Sequence, residues 1–332
     1  MANLYLTEQG SVLKKTGDRL IVQKDGETLL DVQCSKIEAV LIFGNVQFTT
    51  QAVCELFEHG IEMALLTKSG RLIGQLTSPA TKNIDLRVVQ FRQHGDEKFK
   101  LGLSRAIVKG KVNNCRSIMT SFSYNHPSID LSGELAALDA AVMNADRTDS
   151  VSALRGVEGS AASSYFGGFG KMLLGGFTFI GRKKHPSTDP VNALLSFGYT
   201  LIFNEISSLL DGLGFDPYLG YFHEVEYGRA SLACDIQEEF RAAVDRFTLN
   251  LINNTMLTTA DFYRNEKDGS VYLKREAMKK YFVEYEKYIG REFKHPETGE
   301  NTTLRKCFRI QAEKLAVCIK GGAVYAPFKL EV

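Results

Sequence analysis

The sequence predicts an α+β protein, with a small N-terminal β-rich domain followed by a larger all-helical C-terminal domain. Three observations carry this. Residues 1–76 are short runs rich in Val, Ile, Leu and Thr, broken by turn residues. Ser78-Pro79 through Lys82 interrupts that pattern. Beyond it, apolar residues recur at helical spacing. The chain has 332 residues, 44% hydrophobic and 24% charged, enough for two domains with a sizeable core. The domains are placed at 1–78 and 79–332.

In the first domain strands are expected at Leu4–Leu6, Ser11–Lys15, Arg19–Lys24, Thr28–Val32, Ile37–Phe43, Val46–Thr49, Ile61–Thr67 and Leu72–Thr77. Gly17-Asp18, Asp25-Gly26, Gly44-Asn45 and Ser69-Gly70 punctuate them. Ala52–His59 reads as one short helix. Nothing here concentrates His, Cys or acids, so this domain is expected to be scaffold or dimer contact rather than chemistry.

In the second domain Leu86, Val89, Phe91, Phe99, Leu103 and Ile107 suggest one long helix or two, and Leu135–Met143 another. Ser152–Phe166 is helical, with small residues at Gly159, Ala161 and Ala162 where a neighbouring helix can approach. Glu158 and Tyr165, seven apart, share a face. A carboxylate among such small side chains points to a role beyond the surface, although an ordinary helix-start Glu gives the same pattern. Tyr165 either hydrogen-bonds near that acid or packs. Gly167–Gly176 lacks the Lys-Ser/Thr of a phosphate-cradling loop and reads as a plain loop. Asp189 as N-cap and Pro190 in the first turn announce an apolar helix over Ala193–Leu213. Asn192, near its start, needs a hydrogen-bond partner for its amide. Helices are also expected at Lys274–Gly290 and Leu304–Ile319.

The candidate chemistry lies in Tyr218–Arg241. A glycine-punctuated segment carries His223, Gly228 and Arg229, and a helix opens near Ser231, read as its N-cap. Ile236, Phe240, Val244, Phe247 and Leu251 form one buried stripe. At about 100° per residue, Asp235 and Glu238 lie roughly 60° apart on a flank away from Ile236. The stretch can set a loop imidazole beside two helix carboxylates, a donor set for a divalent metal acting on phosphates. Acids favoured by the helix dipole and an idle loop histidine give the same spacing.

Composition narrows the classes. Net charge is +1, which by itself predicts no nucleic-acid binding, but residues 79–116 hold nine basic side chains against three acidic ones. Such a patch can meet a phosphate backbone or simply be a solvated helix face. The six cysteines are scattered with no Cys-x-x-Cys pair, as for free thiols in a reducing cytoplasm. No basic segment followed by an apolar run opens the chain, and no uninterrupted run of about 18 apolar residues exists, so neither a signal peptide nor a membrane span is expected.

Three pieces in register carry a resemblance. They are Leu154-Arg155-Gly156-Val157-Glu158-Gly159 with Tyr165-Phe166; Asp189-Pro190-Val191-Asn192-Ala193-Leu194-Leu195-Ser196-Phe197-Gly198-Tyr199; and Gly220-Tyr221-Phe222-His223 through Gly228-Arg229-Ala230-Ser231-Leu232 to Asp235-Ile236-Gln237-Glu238-Glu239-Phe240-Arg241. Together they resemble the CRISPR-associated endonuclease of the adaptation module, the integrase that inserts new spacers, with overall wording most similar to a type I-C member. The resemblance implies a homodimer whose first domain serves dimerisation and whose second is catalytic and DNA-binding. It implies a Mg²⁺ or Mn²⁺ site on Glu158, His223 and Glu238, with Asp235 as a nearby acid that orients a ligand or a bound water. Cys234, Ile236-Gln237 and Ala242 depart from the common pattern and leave open whether Asp235 or Glu238 is the inner acid; Glu238 is favoured. DNA, as protospacer and repeat, would meet the 79–116 patch (Arg87 and Arg92 included), the loop of Arg182, Lys183 and Lys184, and Arg229 and Arg241. For the last two, ion pairs with Glu226, Glu238 or Glu239 are the alternative. A small CRISPR partner dimer and a RecB-like CRISPR nuclease are the implied partners. Two rivals are a catalytically inactive DNA-binding scaffold and a zinc hydrolase using His223-Glu224; the latter lacks a second His four residues on.

Overall fold

The computed structural model describes residues 2–331 except Ser69, residues 78–82, Lys184, His185 and Lys267. Two compact units form, residues 1–80 with 273–290, and residues 81–272 with 291–332. The α+β class is as the sequence predicts; the proposed boundary at 78–82 lies outside the described residues.

All eight expected strands are present. They are β1 (Ala2–Leu6), β2 (Val12–Thr16), β3 (Arg19–Lys24), β4 (Glu27–Gln33), β5 (Ile37–Phe43), β6 (Gln47–Phe48), then α1 (Thr50–Glu58), β7 (Glu62–Leu66) and β8 (Leu72–Leu76). One sheet has the order β4-β3-β2-β6 and the other β1-β5-β7-β8. Asp25 and Gly26 both take positive φ (51° and 86°) in the two-residue turn joining β3 to β4, the conformation an Asp-Gly hairpin favours. Leu13, Leu20, Val40, Ile42, Leu56 and Met63 form the core of this unit.

The helical part runs α2 (Ile84–His94), α3 (Glu97–Asn125), α4 (Ser132–Arg147), α5 (Val151–Lys171), α6 (Pro190–Leu213) and α7 (Ser231–Asn253). A hairpin β9 (Phe262–Arg264) and β10 (Val271–Leu273) precedes α8 (Arg275–Ile289). A second hairpin, β11 (Glu292–Lys294) and β12 (Asn301–Thr303), leads into α9 (Leu304–Ile319). The first predicted helical stretch is two helices, because Asp96 caps α3 by accepting from the Lys98 and Phe99 amides. The Gly167–Gly176 stretch is not all loop: α5 continues to Lys171. A Cβ on Gly168 would stand 2.5 Å from Met119 Cε, so this glycine gives the Met119 tip of α3 its place against α5.

Asp189 caps α6 as predicted, accepting from the Asn192 amide at 2.8 Å, and Gly214 ends it at φ 98°. Among the described residues, α6 has the length and apolarity to cross a membrane, but 61% of its most apolar window is buried inside the protein. The single buried stripe expected of α7 is too narrow a description. Eighteen of its 23 residues are buried, Asp235, Glu238, Glu239 and Asp245 among them, so each needs a partner inside the fold. Helix α8 packs in the first unit, where Phe282 stacks on Tyr5 at 4.0 Å between ring centroids and Glu286 accepts from the Tyr5 hydroxyl at 2.6 Å.

Candidate active site

The loop before α7 is held by that helix. Asp235, fully buried, accepts from the backbone N–H of Tyr221 (2.6 Å), Phe222 (3.0 Å) and His223 (2.8 Å). Its Oδ1 is also 2.8 Å from His223 Nδ1. A carboxylate there requires Nδ1 to carry a proton, so that in the neutral ring Nε2 is the acceptor. That atom lies 3.8 Å from Glu238 Oε1, one turn along α7. Gly220 fits only because it has no side chain; a Cβ would stand 2.7 Å from the Ser231 backbone. From α5, Arg155 donates twice to the Phe222 carbonyl, at 3.1 and 3.0 Å, and pairs with Glu224. Ser231 does not cap α7; its hydroxyl donates to the Glu224 carbonyl at 2.6 Å.

Glu158 and Glu238 meet at a residue that sequence analysis placed only in the surface patch. Lys111 Nζ of α3 contacts Glu158 Oε1 and lies 2.5 Å from Glu238 Oε2. Arg241 donates from Nε to Glu238 Oε1 at 2.8 Å and lies over the Tyr199 ring. Burial opposes ionisation of Glu238, but the Arg241 and Lys111 charges outweigh it and hold the carboxyl far below the usual range. Burial likewise works against the Lys111 ammonium, and Glu238 and Glu158 reverse that, so it stays charged. Ile107, Lys111 and Cys115 are spaced by four along α3 with Ile107 and Cys115 buried, so a lysine on the apolar stripe was the legible clue.

These groups line a cavity of about 720 Å³ together with Tyr165, Arg182, Tyr199 and Asp245. The Tyr199 hydroxyl donates to Asp245, whose carboxyl is pushed up to about 6 by burial. Burial and the Asp245 charge raise the Tyr165 and Tyr199 hydroxyls well above the ordinary value.

The residues expected at DNA are in varied settings. Arg92 and Lys183 are exposed. Arg87 reaches Asp211 at 3.4 Å, Arg229 pairs with Glu226 at 3.4 Å, and Arg241 with Glu238, the pairing foreseen as the alternative for the last two. Arg182 is drawn in by Asn192 Oδ1 (2.8 Å) and Ser196 Oγ (3.0 Å), which also satisfies the Asn192 amide. Lys184 lies outside the described residues. Within the 79–116 patch, Lys109 pairs with Asp146 and Arg116 with Asp139 on α4, so its net charge is lower in space than along the sequence.

Among the described residues, the group of three potential ligands with donor atoms all within 4.8 Å of one another is Cys34, Glu55 and His59. This corrects the expectation that residues 1–76 gather no such groups. Glu158, His223 and Glu238 are more loosely gathered, with Lys111 between the two carboxylates.

Fold and site together define a class: an α+β protein whose helical unit gathers carboxylates, an imidazole and cationic side chains in one cavity, a set suited to phosphodiester chemistry. Residues 4–287 match the family described as CRISPR associated protein Cas1. A CRISPR-associated endonuclease Cas1 from Thermus thermophilus is 33% identical over 98% of this chain and 96% of the relative. A Cas4 exonuclease/Cas1 endonuclease fusion from Geobacter sulfurreducens is 30% identical over 96% of this chain and 58% of the fusion. Among solved structures, a casposase bound to integration product superposes with a TM-score of 0.88 at 22% identity, covering 99% and 93% of the two chains. A chain of a Cas6-RT-Cas1–Cas2 complex gives 0.84 at 25% identity over 100% of this chain and 36% of that one. The chain belongs to the Cas1 family of CRISPR-associated endonucleases.

Proposed function

We propose that this Cas1 is a spacer integrase that catalyses attack of a DNA 3′-hydroxyl on a phosphodiester of the repeat, using Glu158, His223 and Glu238. The reading rests on one observation: Asp235 holds the His223 ring with Nε2 free beside Glu238, while Glu158 and Glu238 converge on a single cation, the Lys111 ammonium. The donor set, two carboxylates and one imidazole, fits a hard divalent ion of the Mg²⁺ or Mn²⁺ kind, and Glu238 Oε2 is buried without a hydrogen bond of normal geometry. Such an ion would polarise the phosphoryl oxygen and acidify the hydroxyl. Of the two helix acids, Glu238 is the inner one in this scheme, because both Asp235 oxygens are taken by backbone amides and the ring. Asp235 is a positioning residue that keeps the proton on Nδ1. Lys111 shifts its flexible tip away from the carboxylates and, with Arg241, offsets charge developing on the phosphate. No protein nucleophile is required.

His223→Ala is expected to abolish strand transfer of a 3′-hydroxyl duplex into repeat DNA with Mg²⁺ or Mn²⁺, while DNA affinity changes less than about twofold. Full strand transfer in that variant would end the assignment. Lys111 also favours a second reading, since an internal ammonium can replace the ion in a catalytically inactive DNA-binding scaffold. Absence of nicking on branched DNA with either metal in the wild-type protein would select it.

We further propose a homodimer that joins DNA through Arg92, Lys183 and Lys184, with Arg87, Arg182, Arg229 and Arg241 exchanging their internal partners for phosphate. By the precedent of the complex and the fusion named above, a Cas2-like dimer and a Cas4-type nuclease are its partners. The type I-C assignment rests on the wording of the sequence alone, and an adjacent type I-C repeat array would test it.

A further inference from the structure

The first unit holds a cluster that the integrase chemistry does not use. Cys34 follows β4 and is 1% exposed, packed in the core with Leu13, Leu20 and Leu56. Glu55 of α1 is 3% exposed. His59, the residue that ends α1, is exposed, and its Nδ1 lies 3.4 Å from Glu55 Oε1. The thiol, carboxylate and imidazole donor atoms all lie within 4.8 Å of one another. Lys15 of β2 closes on the other oxygen, Glu55 Oε2.

A buried carboxylate needs a counter-charge, and Lys15 supplies one. That pairing explains Glu55, and the His59 ring closes the end of α1 with Nδ1 3.0 Å from the Glu55 backbone carbonyl, but neither accounts for a buried thiol beside the same carboxylate. Sulfur, nitrogen and oxygen donors together suit a borderline divalent ion such as zinc and suit Mg²⁺ poorly. In a tetrahedral zinc site ligand atoms stand about 3.4–3.8 Å apart. The His59 Nδ1–Glu55 Oε1 pair, at 3.4 Å, already has that spacing, and on binding the exposed ring would exchange its 3.0 Å contact with the Glu55 carbonyl for the metal. Two buried ligands with an exposed third at the mouth also provide an entry path. A thiolate and a carboxylate bring two negative charges to the dication, and with Lys15 kept on Glu55 the site carries a single net positive charge.

We propose that Cys34, Glu55 and His59 form a binding site for a zinc-class divalent cation in the N-terminal unit, with a fourth position open to water. On binding, the Cys34 S–H bond breaks, the sulfur–metal bond forms and the proton leaves to solvent; nothing is oxidised or reduced. Glu55 binds through Oε1 while Lys15 keeps Oε2.

The test uses the full-length protein, stripped by a chelator and titrated with Co²⁺ as a spectroscopic probe. A thiolate-to-cobalt charge-transfer absorption should appear, saturate at one thiolate-bound ion per chain with release of one proton, and be erased by Zn²⁺, while Co²⁺ taken up by the helical cavity adds no such band. Cys34→Ser should abolish the band, and His59→Ala should weaken Co²⁺ binding roughly tenfold or more. Cys54→Ser and His223→Ala should leave band and affinity unchanged, which separates this site from the helical cavity. Absence of the band in the wild type, or its persistence in Cys34→Ser, overturns the proposal. Should Cys34→Ser fail to fold, the exposed His59→Ala decides: unchanged Co²⁺ affinity overturns the site.

Discussion

At the scale of single residues, Lys111 is the most informative side chain. It shares a charge with Glu158 and Glu238 while only 14% of its side chain is exposed. Lys111→Met leaves Glu158 facing Glu238 with Arg241, ion-paired to Glu238 alone, as the remaining cation. The loss is expected to be roughly 3 kcal/mol in urea unfolding, the scale of breaking a buried ion pair. If the acids are a divalent site, Mn²⁺ should raise the melting temperature of Lys111→Met more than that of the wild type. An equal Mn²⁺ response would argue against a shared ion. His223, Glu158 and Glu238 were legible because imidazole and carboxylates stand out among apolar or small neighbours. Lys111 was hidden by the basic run around it, although its place on an apolar stripe betrays it. Asp235 was expected beside the site as an acid orienting a ligand, but its hold on three loop amides was not legible, since no spacing encodes their directions.

At the scale of elements, α7 acts as the axle of the helical unit. The loop that carries His223 crosses its first turn at Gly220, where an added Cβ would meet backbone that cannot give way. Gly220→Ala is therefore expected to cost about 2 kcal/mol in urea unfolding and to reduce strand transfer by displacing His223; wild-type stability would show that the loop yields. Further along, Glu239 is wholly buried and accepts from the Tyr325 hydroxyl (2.6 Å), the Phe328 amide (2.7 Å) and Gln311 Nε2 (2.9 Å), fastening the C-terminal segment to α7. Burial outweighs these donors and pushes its carboxyl up to about 7. The folded state thus holds a proton that the unfolded chain, titrating near 4.3, has released. This contribution is fully present below about pH 4 and is lost as pH rises through about 7. Glu239→Gln should flatten the decline in stability across that window; an unchanged profile would assign the decline elsewhere, Asp245 being the next candidate. The stripe pattern found α7 but missed its all-round burial, because a helix whose polar residues are internally bonded looks amphipathic in sequence.

At the scale of the whole molecule, the chain belongs to the Cas1 family with a net charge of only +1, so the DNA binding proposed for it must rest on local charge. Substituting Gln for Arg92, Lys98 and Lys183, all exposed, should weaken DNA binding and reduce the slope of log affinity against log salt by about 2–3. An unchanged slope would remove these residues from the interface. The division into a β part and a helical part was legible, because strand and helix periodicities differ and change over near residue 80. The membership of α8 was not, since an amphipathic helix does not announce which surface it will cover. It covers Tyr5 and Phe43, residues translated more than two hundred positions earlier. During synthesis those aromatic rings emerge from the ribosome without their lid. The β unit can reach its finished form only once residue 290 is available, after most of the helical unit has already been made. Any truncation upstream of Arg275 would leave this gap permanent, so an aggregation-prone half-molecule is the expected product of premature termination.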